Sequence, residues 1–236
     1  MKEFKTQLEL FEFYDKFTGQ TLNQLFIFLE NEYPNVSVKI KTQKGVVGHL
    51  LEGITGRPPN SDSKADISNL GIELKVLPLT NTEKKIQPKE RCKIKSISYK
   101  KIVNEDWDTS ELRNKISQIL FLAYIQPKGK TYNDWREFKF IGPIYYSLKN
   151  NAPKIVKQDW INIKIKVQAE LAHELSESEG KILGACTSGN GEMVSYSDNC
   201  EAKQRSYSLK HAYMKHFFEQ ESNPNQFESI LNNLSS

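Results

Sequence analysis

Three charged side chains within ten positions are the residues of this sequence best suited to chemistry. Asp66, Glu73 and Lys75 lie in the stretch D-I-S-N-L-G-I-E-L-K. Two neighbouring carboxylates suit a hard divalent cation such as Mg²⁺, which takes oxygen ligands and keeps several waters. A bound metal lowers the pKa of a coordinated water and offsets charge on a phosphate, and a nearby lysine positions the attacking water. The set indicates phosphodiester hydrolysis, and the alternative is a solvated ion pair downstream of a turn aspartate.

A strand is needed to position this set. From Leu70 to Leu77 polar and apolar residues alternate, and the pattern stops at Pro78, which predicts a strand ending there. On a strand Glu73 and Lys75 share one face, which we expect to be exposed to solvent. The opposite face is apolar and is expected to pack in a core through Ile72, Leu74 and Val76.

A helix is predicted just upstream, in the stretch K-G-V-V-G-H-L-L-E from Lys44 to Glu52. Its apolar residues recur at the spacing of one helical face, and Gly56 followed by Pro58 is a usual way to end a helix. Glu52 follows the apolar Leu51 and so lies at the margin of this face, from which it reaches over a neighbouring strand. The alternative is an ordinary surface glutamate.

The order of three segments resembles the MutH family. These segments are K-G-V-V-G-H-L-L-E, then D-S-K-A-D, then L-G-I-E-L-K-V-L-P. The family contains the methyl-directed mismatch-repair nickase and its relatives, the type II restriction endonucleases that cut at GATC. The segments K-Q-D-W, A-H-E-L-S and Y-S-D-N-C-E-A-K-Q-R-S-Y-S-L-K-H-A-Y-M are more similar to the restriction branch. The resemblance extends over nearly the whole chain, from Thr18 to Phe218.

The resemblance implies a role for each residue of the candidate site. Asp66, Glu73 and Lys75 correspond to the catalytic D…(D/E)-x-K set, and Glu52 corresponds to an additional acidic residue near the metal. Lys44 corresponds to a basic residue at the helix entry, where it contacts DNA. On this basis we expect Asp66, Glu73 and Glu52 to bind Mg²⁺.

Further DNA contacts are expected in the last third of the chain. The strand I-L-G-A-C leads into a loop that the resemblance makes the base-reading loop, with Thr187, Ser188 and Gly189 as its candidates. The alternative for this loop is a plain hairpin turn. Lys203, Arg205 and Lys210 are predicted to lie on a following helix and to contact phosphates. Basic residues also dominate from Lys84 to Lys101, which predicts a positive arm for the DNA backbone or, alternatively, a solvated strand pair.

Length, composition and net charge limit the classes of protein to which this chain can belong. With 236 residues and 38% hydrophobic residues, the chain is long enough to bury a substantial core. Its three cysteines show no C-x-x-C spacing, so free thiols are expected. A net charge of +4 permits a nucleic-acid partner. No apolar run reaches the length of a membrane span and the first residues lack a signal-peptide core, which predicts a cytoplasmic protein without a membrane partner.

Local patterns predict the remaining elements. A capping box at Thr21 begins a helix, and the other expected elements are a short strand or extended arm at Asn35–Lys41, a helix at Ser110–Gln118, strands at Ile119–Ile125 and Trp135–Leu148, a long helix from Pro153 to about Leu175, and a last helix from Asn223.

These elements predict an α/β fold. The resemblance implies the restriction-endonuclease-like PD-(D/E)xK fold, with a central mixed sheet flanked by helices and a DNA cleft between two lobes, although Ala65 stands where that superfamily often has proline. We expect residues 1–236 to form a single MutH-like endonuclease domain, or the catalytic half of a longer two-domain enzyme. The expected substrate is double-stranded DNA, bound by a monomer or a DNA-induced dimer. The alternatives are a repair nickase that needs a partner protein and a non-catalytic DNA-binding domain.

Overall fold

The computed structural model describes residues 1–37, 45–58, 64–81, 85–197 and 200–221. The chain divides into two compact units. Unit 1 contains Met1–Lys89, Ile119–Tyr146 and Phe218–Ser236, and unit 2 contains Glu90–Gln118 and Ser147–Phe217. Among the described residues, no helix is both long enough and apolar enough to span a bilayer.

The elements are numbered in chain order within the described residues. The helices are α1 (Gln7–Asp15), α2 (Leu22–Glu32), α3 (Pro34–Ser37), α4 (Val46–Gly53), α5 (Tyr99–Ile102), α6 (Glu111–Ile116), α7 (Pro153–Gln168) and α8 (His211–Glu221). The strands are β1 (Glu73–Asn81), β2 (Ile86–Pro88), β3 (Cys92–Ser96), β4 (Gln118–Gln126), β5 (Lys139–Ser147), β6 (Leu183–Thr187), β7 (Met193–Ser197), β8 (Cys200–Lys203) and β9 (Arg205–Leu209).

Unit 1 is built on a mixed four-stranded sheet in the order β2-β1-β4-β5. β1 and β4 run parallel, with Glu73 opposite Ile119, whereas β1 and β2 run antiparallel, with Leu79 opposite Pro88. β4 is apolar and buried along almost its whole length, as expected for a strand covered on both faces. The mixed α/β class predicted from the sequence is confirmed, and it is consistent with a restriction-endonuclease-like fold.

β1 does not end at Pro78, as the sequence predicted, but continues to Asn81. The carbonyl of Pro78 accepts a hydrogen bond from the Lys89 N–H at 2.8 Å, next to the first β2 pair. Because the nitrogen and carbonyl of one strand residue point to the same side, the missing N–H of Pro78 lies at the end of the β2 ladder. The long β4 ladder is therefore not interrupted.

One face of the sheet packs on α1, α2 and α4. Leu74 of β1 is fully buried in this core, and Val76 packs against it, so the apolar face predicted for the strand is confirmed. The predicted capping box at Thr21 is also confirmed, because its side chain accepts from the Gln24 N–H while the Gln24 side chain accepts from the Thr21 N–H. Three leucines of α2 point into the core and are fully buried: Leu22, Leu25 and Leu29.

Unit 2 contains the antiparallel sheet β3-β9-β6 and the hairpin β7-β8. α7 packs in its core through Trp160, whose ring lies 5.5 Å from that of Trp107. α7 ends at Gln168, earlier than the predicted Leu175. Glu170 adopts a left-handed conformation with φ 61°, and the Leu171 N–H donates to the Lys166 carbonyl at 2.8 Å. This is a Schellman-type helix end, which the sequence does not signal because a glutamate occupies the usual glycine position.

Two further predictions about local structure were wrong. Lys203 and Arg205 lie on strands β8 and β9, and the helix predicted to carry them begins only at His211. β9 is the central strand of its sheet, and its last four residues are buried. The described part of the short strand or extended arm predicted at Asn35–Lys41, residues 35–37, instead belongs to helix α3. The expected last helix from Asn223 lies outside the described residues, as do Val38–Lys44 and Pro59–Ser63.

Candidate active site

A short antiparallel bridge at the start of β1 brings Asp66 to the strand. The Ile67 N–H donates to the Ile72 carbonyl at 2.9 Å and the reverse bond measures 3.2 Å. Gly71 closes the intervening turn with φ +66°, a conformation that favours glycine. The register of this bridge places Asp66 across from Glu73. The predicted approach of Asp66 to the strand is therefore confirmed.

The Asp66 carboxylate is anchored on the backbone of the strand. Its Oδ2 accepts a hydrogen bond from the Leu74 N–H at 2.8 Å. β2 pairs only with Leu79–Asn81, so it does not reach the start of β1 and the carboxylate takes the place of a neighbouring strand there. This bond fixes the direction of Asp66 without any metal.

Glu73 and Lys75 form an ion pair on one face of β1, with Lys75 Nζ 2.8 Å from Glu73 Oε1. The expectation that this face is exposed was wrong for Glu73, which retains only 2% of its accessible surface. The reason is the parallel register with β4, which aligns Glu73 with Ile119 and Lys75 with Phe121, both fully buried. A carboxylate in such surroundings needs a partner, and Lys75 supplies it.

A buried tyrosine of α1 contacts α4, the helix that carries Glu52. Tyr14 of α1 is fully buried and its hydroxyl donates to the Leu51 carbonyl at 2.9 Å, one residue before Glu52. Burial raises the pKa of Tyr14 well above its usual value, the negative charges of Glu52 and Asp66 raise it further, and the Arg57 guanidinium opposes them. Three charged groups of unit 1 therefore act electrostatically on one phenol. The sequence did not single out Tyr14 or Arg57, because the first reads as core and the second as a loop residue.

Asp66 also borders open space. It lines a pocket of about 300 Å³ together with Met1, Arg57, Pro58, Lys64, Ala65 and Ser68. Two of the neighbours are basic, so the carboxylate lies in a pocket of mixed charge that a solute can enter.

The fit to Mg²⁺ depends on how many carboxylates converge. Among the described residues, no three side chains of the types His, Cys, Asp and Glu lie close enough together to hold a metal ion. The predicted triad with Glu52 is therefore not assembled as a unit. Mg²⁺ is commonly held by only one or two carboxylates, with waters and substrate phosphates as its other ligands. Asp66 and Glu73, opposite one another at the start of β1, suit that requirement.

The proposed base-reading residues lie together in unit 2. Arg205 Nη1 donates to Thr187 Oγ1 at 2.9 Å, and Lys93 Nζ donates to the Thr187 carbonyl at 2.9 Å. The hydroxyl of Ser188 lies 3.3 Å from that of Ser96, and Gly189 has φ +53°. The loop is thus a polar, basic turn at the end of β6. Ser96 is an addition that the sequence did not single out.

The other predicted DNA contacts differ in their surroundings. The Lys210 ammonium donates to the carbonyls of Ser178 and Gly180 at 3.1 and 2.8 Å, so it supports a loop. Lys203 follows the loop on β8, where its exposed side chain passes near Gly191. Lys44 lies outside the described residues.

Much of the predicted basic arm is neutralised by acidic partners. Lys95 and Lys101 both bind Glu111, and their hydrogen bonds lower the pKa of that carboxyl to about 2. Arg91 pairs with Glu177 in the same unit. These ion pairs weaken the support for the prediction that the whole arm contacts DNA. Lys93, which donates to the Thr187 carbonyl, lies beside the proposed reading loop.

The Tyr14 hydroxyl predicts a measurable pH dependence of stability. Above about pH 10 the unfolded chain loses the phenol proton while the folded chain keeps it, because the folded-state pKa is raised. The contribution of the protonated Tyr14 phenol to the free energy of unfolding is complete below pH 10. It falls as pH rises, by up to about 1.4 kcal/mol per pH unit. We expect Tyr14→Phe to make the free energy of unfolding less steep above pH 10 and to cost about 1 kcal/mol at pH 7.

Denaturant unfolding between pH 7 and 11 measures this effect. Tyr145→Phe is the matched control, since the pKa of Tyr145 is also raised but its side chain is only partly buried. An identical alkaline slope for Tyr14→Phe and the parent would show that Tyr14 titrates alike in both states.

The chain is similar in sequence to MutH proteins and to a type II restriction enzyme. Residues 55–159 match the family model described as the DNA mismatch repair enzyme MutH. The type II restriction enzyme Sau3AI of Staphylococcus aureus is 36% identical over 186 residues, which are 76% of this chain and 37% of that enzyme. The DNA mismatch repair protein MutH of Vibrio vulnificus is 25% identical over 97% of both chains. MutH of Haemophilus influenzae is 31% identical over 53% of both. The chain thus spans little more than a third of the restriction enzyme's length.

Proposed function

The chain carries a MutH-family domain, and from this premise we propose that it is a Mg²⁺-dependent type II restriction endonuclease that hydrolyses double-stranded DNA at GATC sites. The observation that carries the proposal is the start of β1, where Asp66 is anchored across from Glu73 and Lys75 pairs with Glu73. Two carboxylates and a lysine are the groups that metal-assisted phosphodiester hydrolysis requires.

Asp66 and Glu73 would hold the metal, and Glu52 would add negative charge near it. Mg²⁺, when bound, lowers the pKa of a coordinated water and offsets charge on the phosphate. The protein's own part is positional. The Leu74 N–H fixes the Asp66 carboxylate before the metal arrives, and Lys75 is held beside Glu73 by their ion pair. Both features reduce the reorganisation needed in the reaction.

Lys75 orients the attacking water. The water oxygen forms a bond to phosphorus in line with the departing 3′ oxygen, and the bond between phosphorus and that oxygen breaks. The water loses a proton and the 3′ oxygen gains one, which leaves a 5′-phosphate and a 3′-hydroxyl. In this proposal Thr187, Ser188 and Gly189 read bases, while Lys93, Lys203 and Arg205 contact phosphates beside that loop.

A MutH-type nickase is the second candidate, because MutH proteins match this chain over almost their full length. A supercoiled plasmid with Mg²⁺ separates the two. Linear fragments with ends at GATC support the restriction enzyme, whereas relaxed circles that persist support the nickase or a missing second half. An uncut plasmid that the protein nevertheless binds would support a non-catalytic DNA-binding domain and contradict both.

The assembly on DNA is also part of the proposal. A monomer has one candidate site at the start of β1, so breaking both strands requires a DNA-induced dimer, a second domain or two successive cuts. Light scattering with and without a GATC duplex tests this. Doubling of the mass per duplex would support the dimer, and an unchanged monomer that yields linear product would support successive cuts.

A further inference from the structure

The pocket beside Asp66 contains an arginine that the proposed reaction has not used. Arg57 lies in the turn after α4, and its Nη1 donates to the Thr55 hydroxyl at 3.3 Å and to the Lys2 carbonyl at 3.4 Å. Both bonds are long and both use the same nitrogen. Since a guanidinium carries five N–H donors in a planar fork, most of its hydrogen-bonding capacity is not used by these two contacts.

Arg57 interacts electrostatically with Asp66 and with two other groups of unit 1. Burial lowers the pKa of Arg57, while electrostatic interactions with Tyr14, Asp66 and Glu3 raise it. An arginine nevertheless stays charged at any physiological pH. The partly buried cation therefore lies within electrostatic reach of the carboxylate that is the strongest candidate for binding metal.

The pocket holds a second cation. Lys64 and the hydroxyl-bearing Ser68 line it with Arg57 and Asp66. A volume of about 300 Å³ is at the lower end of the range for small-molecule sites, and the two cations in its lining suit a phosphate group. When a divalent cation binds at Asp66, the pocket becomes more positive and attracts an anion more strongly.

We propose that Arg57, assisted by Lys64, binds a DNA backbone phosphate next to the phosphate that is hydrolysed. This inference rests on the proposed nuclease function and assigns Arg57 a positioning role, since it fixes the strand relative to Asp66 and Glu73. Arginine is well suited to this because its fork makes bidentate contacts to phosphate oxygens. Binding of the cation and of this phosphate is expected to be mutually reinforcing.

The first test is the salt dependence of DNA binding, measured by fluorescence anisotropy in Ca²⁺, which takes the same type of oxygen ligands. We expect Arg57→Ala to weaken binding about tenfold. The slope of log affinity against log salt should fall by about 0.9, the value for one lost phosphate contact. Arg57→Lys should keep most of the slope. The matched control is Arg136→Ala, which removes an exposed arginine stacked on Phe26 and Trp135.

The second test identifies the phosphate. Duplexes with one neutral methylphosphonate at successive positions near the cleavage site are bound by the parent and by Arg57→Ala. The parent should lose about tenfold in affinity at one position, and Arg57→Ala should be insensitive at that position. A purely structural role for Arg57 would lower the melting temperature but leave both the salt slope and the methylphosphonate pattern as in the parent, which would overturn the proposal.

The two proposals fail in different ways. If the parent cuts DNA and Arg57→Ala retains the parental salt slope, the phosphate contact is wrong and the nuclease function stands. If the parent neither binds nor cuts any duplex while folded, the proposed function fails and the phosphate site with it.

Discussion

Replacing Asp66 with asparagine is expected to reduce DNA cleavage by at least about 1,000-fold, because a metal held by one fewer carboxylate no longer supplies several kcal/mol of charge stabilisation in the transition state. Folding is expected to survive, since the asparagine side-chain oxygen can still accept the hydrogen bond from the Leu74 N–H at the position of Oδ2. The measurement is the cleavage rate in Mg²⁺, with DNA affinity in Ca²⁺ and a thermal melt alongside.

The control for this substitution is Asp15→Asn, which makes the same chemical change at an exposed position of unit 1. Lys75 needs a different design, because removing it alone takes away the ion-pair partner of the buried Glu73 carboxylate. Lys75→Met combined with Glu73→Gln removes both charges and should be stable but inactive. An Asp66→Asn protein that cuts at the parental rate would refute the assignment of the site.

The largest effect on stability is expected at Asp159. Its buried carboxylate accepts hydrogen bonds from the N–H groups of Lys181, Ile182 and Leu183 at 2.8 to 3.0 Å, which ties α7 to the chain entering β6. Asp159→Ala leaves those donors without their acceptor at a cost of about 3–5 kcal/mol. Because whole domains are stable by only about 5–15 kcal/mol, unit 2 should be substantially destabilised.

Denaturant unfolding measures this loss, and Gly180→Ala provides an independent check on the same loop. A Cβ at Gly180 would lie 2.1 Å from the Leu183 carbonyl oxygen, and its φ of +75° disfavours other residues. We expect Gly180→Ala also to lower stability. The control is the exposed carboxylate of Glu174, which follows α7 in sequence: Glu174→Ala should change stability by less than about 0.5 kcal/mol. A stability loss below about 1 kcal/mol for Asp159→Ala would show that the loop finds other acceptors.

Local sequence patterns correctly predicted those features that depend only on residues near one another in the sequence. The alternation in L-G-I-E-L-K predicts that Glu73 and Lys75 share a face, and the short turn before it predicts that Asp66 returns to the strand. Both depend on fewer than about ten neighbouring residues, over which strand periodicity operates. The capping box of α2 and the buried strand β4 are predictable for the same reason.

Features that depend on distant residues could not be predicted. Glu73 is buried because β4, more than forty positions later, lies beside it. Tyr14 reaches α4 through its hydrogen bond to Leu51, and Arg57 lines the pocket of Asp66, neither of which a local pattern encodes. β9 was mistaken for a helix because its basic and aromatic residues were interpreted as the faces of an exposed helix, whereas it is a buried strand between β3 and β6.

The central claim is that this chain cuts DNA at a defined sequence through the site at the start of β1. The most direct test is an end-labelled duplex with one GATC site, incubated with the parent and Mg²⁺ and resolved at single-nucleotide resolution beside a duplex with that site scrambled. We predict products at GATC only, absent with chelator and absent for Asp66→Asn. Binding of the GATC duplex without any Mg²⁺-dependent cleavage, by a protein shown to be folded, would contradict the account.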